Sequence, residues 1–170
     1  MKTCFLVSKS DIGGATVYVH NLFNSLNLNK SEIYYLYKGD SSNQIEKFGD
    51  VIANFSRINF SNIWQVLFTL RTFLIKNEFE VINVHSTEAS ILLRIAYLFT
   101  RKKIRIIYTV HGWGWRGYGK FKTFILKFIE FVLYKLVKNE YIFLYNNMIS
   151  EASFLNMDVE KCNVITTGMN

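Results

Sequence analysis

The sequence lacks the features that mark several large classes of protein. Its two cysteines, Cys4 and Cys162, lie near opposite ends of the 170 residues and form no CxxC pair, so neither a disulfide framework nor a cysteine-ligated zinc site is expected. The first residues contain an apolar run too short for the core of a secretory signal. We therefore expect a cytoplasmic protein.

Motifs for nucleotide and metal binding are also missing where they would be expected. The loop after the first predicted strand lacks the dinucleotide fingerprint GxGxxG, and the chain contains no P-loop of the form GxxxxGK[ST]. None of the three histidines stands in HExxH or another metal-ligand spacing. These absences argue against NAD-dependent and ATPase functions, and we expect neither a metal nor a cofactor.

Acidic residues are scarce in one part of the chain. The net charge is only +7, yet residues 101–138 contain ten lysines and arginines and a single acidic residue, Glu130. Such a localised positive field favours a phosphate-rich partner, namely a nucleic acid, an anionic lipid or a phosphorylated ligand. Charges such as Lys127 interrupt the apolar run at 121–137, so it is not expected to span a membrane.

The residues that are present indicate a single α/β domain. The length suits one domain, and a hydrophobic content of 50% suffices for a sizeable core. Short apolar runs alternate with stretches of helical period, which is typical of a Rossmann-like parallel sheet with helices on both faces. Strands are predicted at residues 3–8, 32–38, 51–55, 81–85, 104–110, 141–145 and 163–166.

Four helices are predicted between these strands. Ala15, Val19 and Phe23 repeat at helical spacing, as do apolar residues between 63 and 74, where Ser61 is a candidate N-cap. Residues 88–99 are apolar nearly all round and should form a mostly buried helix. The longest candidate helix covers residues 118–138.

The ends of the predicted strands bring candidate site residues to one edge of the sheet. Gly13 and Gly14 open the first helix, where glycine lets backbone N–H groups approach a phosphate, although a tight turn with positive φ would equally require them. His85 and His111 follow the fourth and fifth strands. A lone histidine there is usually structural, but two at the edge that carries the glycines favour a functional site.

Together these segments resemble a known family. The stretches SDIGGATVYVHNLFNSL, VINVHSTEASILLRIA, IIYTVHGW and VITTGMN resemble, in the same order, the N-terminal half of GT-B glycosyltransferases of the family-4 type. The resemblance implies a Rossmann-like domain that binds the acceptor, and a second such domain that binds a nucleotide-sugar donor. It also implies transfer with retention of anomeric configuration, without a metal, to a phosphorylated or lipid-linked acceptor in surface-polysaccharide or glycolipid assembly.

The resemblance assigns roles to individual residues. His111 corresponds to the catalytic histidine that faces the transferred sugar. The implied substrate-binding residues are Gly13, Gly14, His85, Ser86 and Arg116, with Arg116 placed for an acceptor phosphate. Asn83 departs from the family, because it replaces the first histidine of the HxH segment to which His85 belongs.

The domain boundary is the main departure from the family. Residues 1–170 are expected to form a single acceptor-binding domain, because the family's linker motif falls at residue 168 and the paired glutamates of the donor domain are not in the sequence. The chain alone is then expected to be inactive, since stabilising the developing phosphate charge needs groups from both domains.

Two other functions stay open at this point. The chain could be a non-catalytic remnant or partner subunit that binds an anionic membrane or another chain. Nucleic-acid binding, with Trp113, Trp115 and Tyr118 stacked on bases, is disfavoured because no known motif accompanies the basic segment. Those aromatic residues fit a sugar site in a mobile glycine-rich loop better.

The predicted helix 118–138 has a face suited to a membrane. At 100° per residue, one face collects Lys120, Phe124, Lys127, Phe131 and Lys135. The opposite face is expected to dock on the sheet through Ile125, Phe128, Ile129, Val132 and Leu136. Phenylalanines interleaved with lysines suit an interfacial helix and predict peripheral binding to the inner face of the plasma membrane. Lysine stems that cover the phenylalanines on a solvated face would give the same pattern.

Overall fold

The predicted parallel sheet is confirmed. The computed structural model describes residues 2–10, 13–26, 32–39, 49–157 and 162–165, and within them seven parallel strands form one sheet in the order β3-β2-β1-β4-β5-β6-β7. The strands are Thr3–Lys9 (β1), Ile33–Tyr37 (β2), Asp50–Ala53 (β3), Val81–His85 (β4), Arg105–Val110 (β5), Asn139–Phe143 (β6) and Asn163–Val164 (β7). Each lies within two residues of its predicted start and end, apart from residue 166, which is outside the described residues.

The strand order reverses at β1. The chain passes from β1 to β2 and β3 on one side, and then returns to β4 on the other side of β1. Val7 pairs with His85 across β1 and β4, and His85 pairs with Thr109 across β4 and β5. Ligands of open parallel sheets bind beyond the carboxyl ends of the strands at such a reversal. The predicted site residues His85 and His111, at the ends of β4 and β5, therefore lie where this architecture places a site.

Helices cover both faces of the sheet. They are Gly14–Leu26 (α1), Ile63–Lys76 (α2), Thr87–Leu98 (α3), Lys120–Leu136 (α4) and Asn147–Glu151 (α5). Because side chains alternate along a strand, Phe5 and Val7 pack with α1, whereas Cys4 and Leu6 belong to the larger core beneath α2, α3 and α4. The prediction of a buried helix at 88–99 is confirmed by α3.

The predicted N-cap of α2 is wrong. Asn62, not Ser61, precedes the helix, and its side chain accepts a hydrogen bond from the backbone N–H of Asn59 at 2.8 Å. Ser61 instead donates to the side chain of Asn59. The turn before the helix thus uses its polar side chains to close on itself, and Ser61 is not free to cap.

A buried ion pair joins α3 to α4. Arg94 and Glu130 are both fully buried, with Nη2 of Arg94 2.7 Å from Oε2 of Glu130. The hydroxyl of Tyr141 in β6 donates to Oε1 of Glu130 at 2.7 Å, and Nε of Arg94 donates to the carbonyl of Ser90. Each charge therefore has a partner of opposite sign and further hydrogen bonds, as burial requires.

This ion pair overturns the predicted docking face of α4. Glu130, Leu133 and the following Val137 face the core, while Ile125, Phe128 and Leu136 are exposed. At 100° per residue, the helix is turned by about a third of a turn from the predicted orientation. The hydrophobic pattern alone did not place Glu130 on the docking face, whereas its pairing with Arg94 turns it toward the core.

We expect that breaking the ion pair on one side destabilises the domain far more than removing it altogether. Glu130→Met leaves the guanidinium of Arg94 buried and unpaired, which costs about 3 to 5 kcal/mol of unfolding free energy. The double variant Arg94→Met with Glu130→Met should recover much of that loss, measured by urea unfolding. A double variant less stable than the single one would show that the pair is not the constraint described here.

Candidate functional site

A cleft of about 540 Å³ opens at the carboxyl edge of the sheet. Its walls come from the start of α3, the loop after β5, the region before α2 and the first two turns of α4. The lining residues are Ala15, Ile58, Ile63, Ser86, Thr87, Glu88, Ile91, Leu92, His111, Gly112, Gly114, Tyr118, Lys122 and Leu126. Most are apolar, and a few polar groups face the same space, which is the usual composition of a small-molecule site. A smaller hollow of about 390 Å³ between β3 and α2 contains none of the predicted site residues.

The two strand-end histidines contact each other. Nδ1 of His85 lies 2.9 Å from Nε2 of His111, and Tyr18 of α1 packs on both rings, with centroid distances of 5.8 and 4.9 Å. His111 lines the cleft, whereas the side chain of His85 is fully buried. His85 therefore cannot touch a ligand in the cleft directly, and any part in substrate binding passes through His111.

Both imidazoles are uncharged near neutral pH. Burial lowers the pKa of His111 from the ordinary 6.5 to about 4. Burial and then the neighbouring His111 hold the pKa of His85 well below the ordinary value. The pair therefore offers the cleft a neutral hydrogen-bonding group and no positive charge.

The glycines that open α1 are not explained by backbone conformation. Neither Gly13 nor Gly14 has positive φ, and a Cβ built on either would meet nothing within 4 Å. The tight-turn explanation is therefore wrong. A helix N-terminus that leaves this space open allows close approach of a ligand to its free backbone N–H groups.

Ser86 lies on the wall of the cleft in a strained conformation. Its φ of 97° falls in the left-handed region that non-glycine residues rarely adopt. Its hydroxyl oxygen accepts a hydrogen bond from the N–H of Ala89 at 3.3 Å and thereby caps α3. Strain of this kind concentrates at functional sites, which agrees with the placement of Ser86 beside His111.

The two tryptophans of the loop after β5 do not line the cleft. Trp113 and Trp115 are buried and stack on each other at 4.3 Å, and Nε1 of Trp113 donates to the carbonyl of Met148. They cannot stack on a sugar or a base, so the prediction is wrong for these two residues, whereas Tyr118 is exposed and does line the cleft. The indole rings pack against β6 and α5, because this removes their large apolar surface from water.

The same loop is anchored at Gly114. Its N–H donates to Oγ1 of Thr87 at 2.9 Å, and a Cβ on this glycine would lie 2.8 Å from the side chain of Thr87. With Gly112 and Gly117 it has the spacing GxGxxG, which the sequence reasoning overlooked. Because the side chain of Thr87 occupies the space beside Gly114, this glycine serves packing rather than phosphate binding. Gly117 instead serves a turn, since its φ is 86°.

Arg116 stands apart from the cleft. Its guanidinium group forms a two-pronged, exposed ion pair with Glu151 of α5, with Nε 3.1 Å from Oε2. The cation that does line the cleft is Lys122, whose Nζ lies 3.6 Å from the ring centroid of Tyr118. Sequence reasoning missed Lys122 because it lies on neither of the two helix faces that the sequence defined.

The residues predicted for membrane contact divide into two groups. Lys120, Phe124, Phe131 and Lys135 are exposed, whereas Lys127 is half-buried with its ammonium group over the rings of Trp115 and Phe154. Lys135 covers Phe131, with Nζ 5.5 Å from the ring centroid. The more exposed rings are Phe121 at 79%, Phe124 at 67% and Phe128 at 58%.

Among the described residues, no group of three or more His, Cys, Asp or Glu side chains lies together in a way that would hold a metal ion. No helix in the described part of the chain is long and apolar enough to cross a bilayer.

Comparison with known proteins agrees with the fold. The family model described as Glycosyltransferase Family 4 matches residues 12–167, which is nearly the whole chain. A comparison with curated proteins finds no significant match.

The lowered pKa of His111 predicts a specific loss of stability in mild acid. The pKa of His111 is 6.5 in the unfolded chain and about 4 in the folded one, so between these pH values the unfolded chain binds a proton that the folded chain does not. The free energy of unfolding therefore decreases as the pH falls through this window. Between pH 7 and 5, His111→Gln should lose about 2 kcal/mol less unfolding free energy than the wild type. Urea unfolding at the two pH values measures this, and equal losses would contradict the assignment.

Proposed function

The chain belongs to glycosyltransferase family 4, and on that premise we propose that it is the acceptor-binding half of a retaining glycosyltransferase. A glycosyltransferase-like function follows from the family. Retention of configuration and a role in surface-polysaccharide or glycolipid assembly are proposed from the resemblance. The observation that carries the proposal is the position of a neutral histidine, His111, on an apolar cleft beside the open N-terminus of α1.

The composition of the cleft supports an acceptor with an apolar part. Ile58, Ile63, Ile91, Leu92 and Leu126 make most of its walls apolar, which a carbohydrate alone would leave unused. Lys122 supplies positive charge for a phosphate, and the N-terminus of α1, which reaches the cleft at Ala15, adds the partial positive charge of its N–H groups. A lipid-linked glycan phosphate combines both features, and we propose this class of acceptor.

The donor is proposed to be a nucleotide-sugar held by a second domain, with the transferred sugar facing His111. A neutral imidazole at that point stabilises the sugar by hydrogen bonding and does not remove a proton. The chain on its own is proposed to give no transfer, because groups from both domains surround the developing phosphate charge.

In this assignment, His111→Ala should lower the rate of sugar transfer by about 100-fold, which is a common result when one preorganised hydrogen-bond donor is removed. The assay combines the chain with a nucleotide-sugar-binding domain of the family. Release of the nucleoside diphosphate measures transfer, and circular dichroism checks that the variant folds. Phe99→Ser, an exposed change outside the cleft, is the matched control and should transfer at the wild-type rate. Full activity of His111→Ala would overturn the role of this residue.

A second candidate function follows from α4, and we infer that its outer face docks on an anionic membrane. Phe121, Phe124 and Phe128 form an apolar ridge, and Lys120 and Lys135 lie beside it. These three rings are more than half exposed, so lysine side chains leave most of the ridge uncovered. The ammonium group of Lys135 lies over Phe131, which is outside the ridge. An apolar face with basic residues beside it suits the headgroup region of an anionic bilayer, which supports the proposal that the protein binds at the inner face of the plasma membrane.

Liposome flotation tests the membrane face. The wild type should float with vesicles of phosphatidylglycerol and phosphatidylcholine, and Phe121→Ser with Phe124→Ser, which removes the two most exposed rings of the ridge, should lose most of that binding. Trp64→Ser with Phe68→Ser removes comparably exposed aromatic rings from α2 and is the matched control. Equal binding by both double variants would reject α4 as the docking face. Membrane binding without transfer in any assay would favour a non-catalytic module.

A further inference from the structure

The contact between the two histidines allows only one arrangement of protons that leaves no buried donor unpaired. Nδ1 of His85 and Nε2 of His111 are 2.9 Å apart, so one nitrogen donates a proton and the other accepts it. Because both rings are neutral, each carries one proton on one of its two nitrogens. The position of the proton on His85 therefore fixes its position on His111.

The surroundings of His85 select the donor. Its Nε2 is buried and has no hydrogen-bond partner among the described residues. A proton on Nε2 would leave a buried N–H group unpaired, whereas a proton on Nδ1 leaves only an unpaired lone pair, which buried groups tolerate better. His85 accordingly donates from Nδ1 to Nε2 of His111. Phe5, stacked at 6.2 Å, and Tyr18 hold the ring in place.

This arrangement has a consequence for the cleft. Since Nε2 of His111 accepts from His85, the single proton of His111 must lie on Nδ1. That nitrogen makes no hydrogen bond to a described residue, and His111 lines the cleft. The group available to a ligand is then an N–H donor, which suits an oxygen lone pair such as that of a sugar hydroxyl.

We propose that His85 is a positioning residue that fixes the tautomer of His111, so that His111 offers the cleft an Nδ1–H donor and not a base. The identity of the substrate oxygen rests on the proposed function. The tautomer itself does not, and it can be measured on this chain alone, without donor, acceptor or transfer.

Long-range ¹H–¹⁵N correlation of ¹⁵N-histidine-labelled protein at pH 7 is the test. In the wild type, both His85 and His111 should show a protonated Nδ1 and a bare Nε2. His85→Asn keeps an N–H donor near the position of Nδ1 and should preserve the His111 pattern. His85→Phe has a ring of similar size without a donor and should shift His111 toward the tautomer protonated at Nε2.

Two results would overturn the proposal. One is a wild-type His111 protonated at Nε2, which the wild-type spectrum decides even if a variant fails to fold. The other is a folded His85→Phe variant in which the His111 pattern is unchanged. If the tautomer is as expected while His111→Ala transfers normally, the control of the tautomer by His85 stands and the role of His111 in transfer falls. If the wild type gives no transfer with any donor-binding domain, the proposed function falls and the tautomer is unaffected.

Discussion

The pairing of Arg94 with Glu130 sets the orientation of the longest helix. Arg94 lies in α3, a helix covered by the sheet and by its neighbours α2 and α4, so its guanidinium group is fully buried and must find a buried anion. Glu130 is the only acidic residue between positions 101 and 138. Its inward turn is therefore required by a residue on another helix, and the same turn places Phe121 and Phe128 outside.

This dependence explains what could and could not be predicted from the sequence. The strands followed from runs such as VINV and IIYTV, because a strand buried on both faces has no other pattern. The rotation of α4 could not follow from its own periodicity, since the decisive partner is Arg94. The contact of His85 with His111 also needed the register, which pairs His85 with Thr109 and leaves His111 two residues beyond.

Several polar groups at the cleft are hydrogen-bond donors. His111 is neutral, and Glu88, the one carboxylate among the described residues of the cleft wall, accepts a hydrogen bond from Tyr37 at 3.1 Å, while desolvation raises its pKa. The open N-terminus of α1 adds N–H donors. Hydrogen-bond donors that the fold already holds in position stabilise oxygen atoms without any rearrangement of the protein. This kind of stabilisation suits a reaction in which negative charge develops on a phosphate.

The geometry of α4 links the cleft to the surface proposed for membrane docking. Lys122 and Leu126 line the cleft, and their sequence neighbours Phe121 and Ile125 are exposed. One helix therefore separates the two, a distance of about 10 to 12 Å with side chains included. A lipid-linked acceptor whose chain stayed in the bilayer would need to cross only this width to bring its phosphate to the strand ends. The buried Glu130 therefore fixes both the cleft wall that α4 provides and the orientation of the surface proposed for membrane docking.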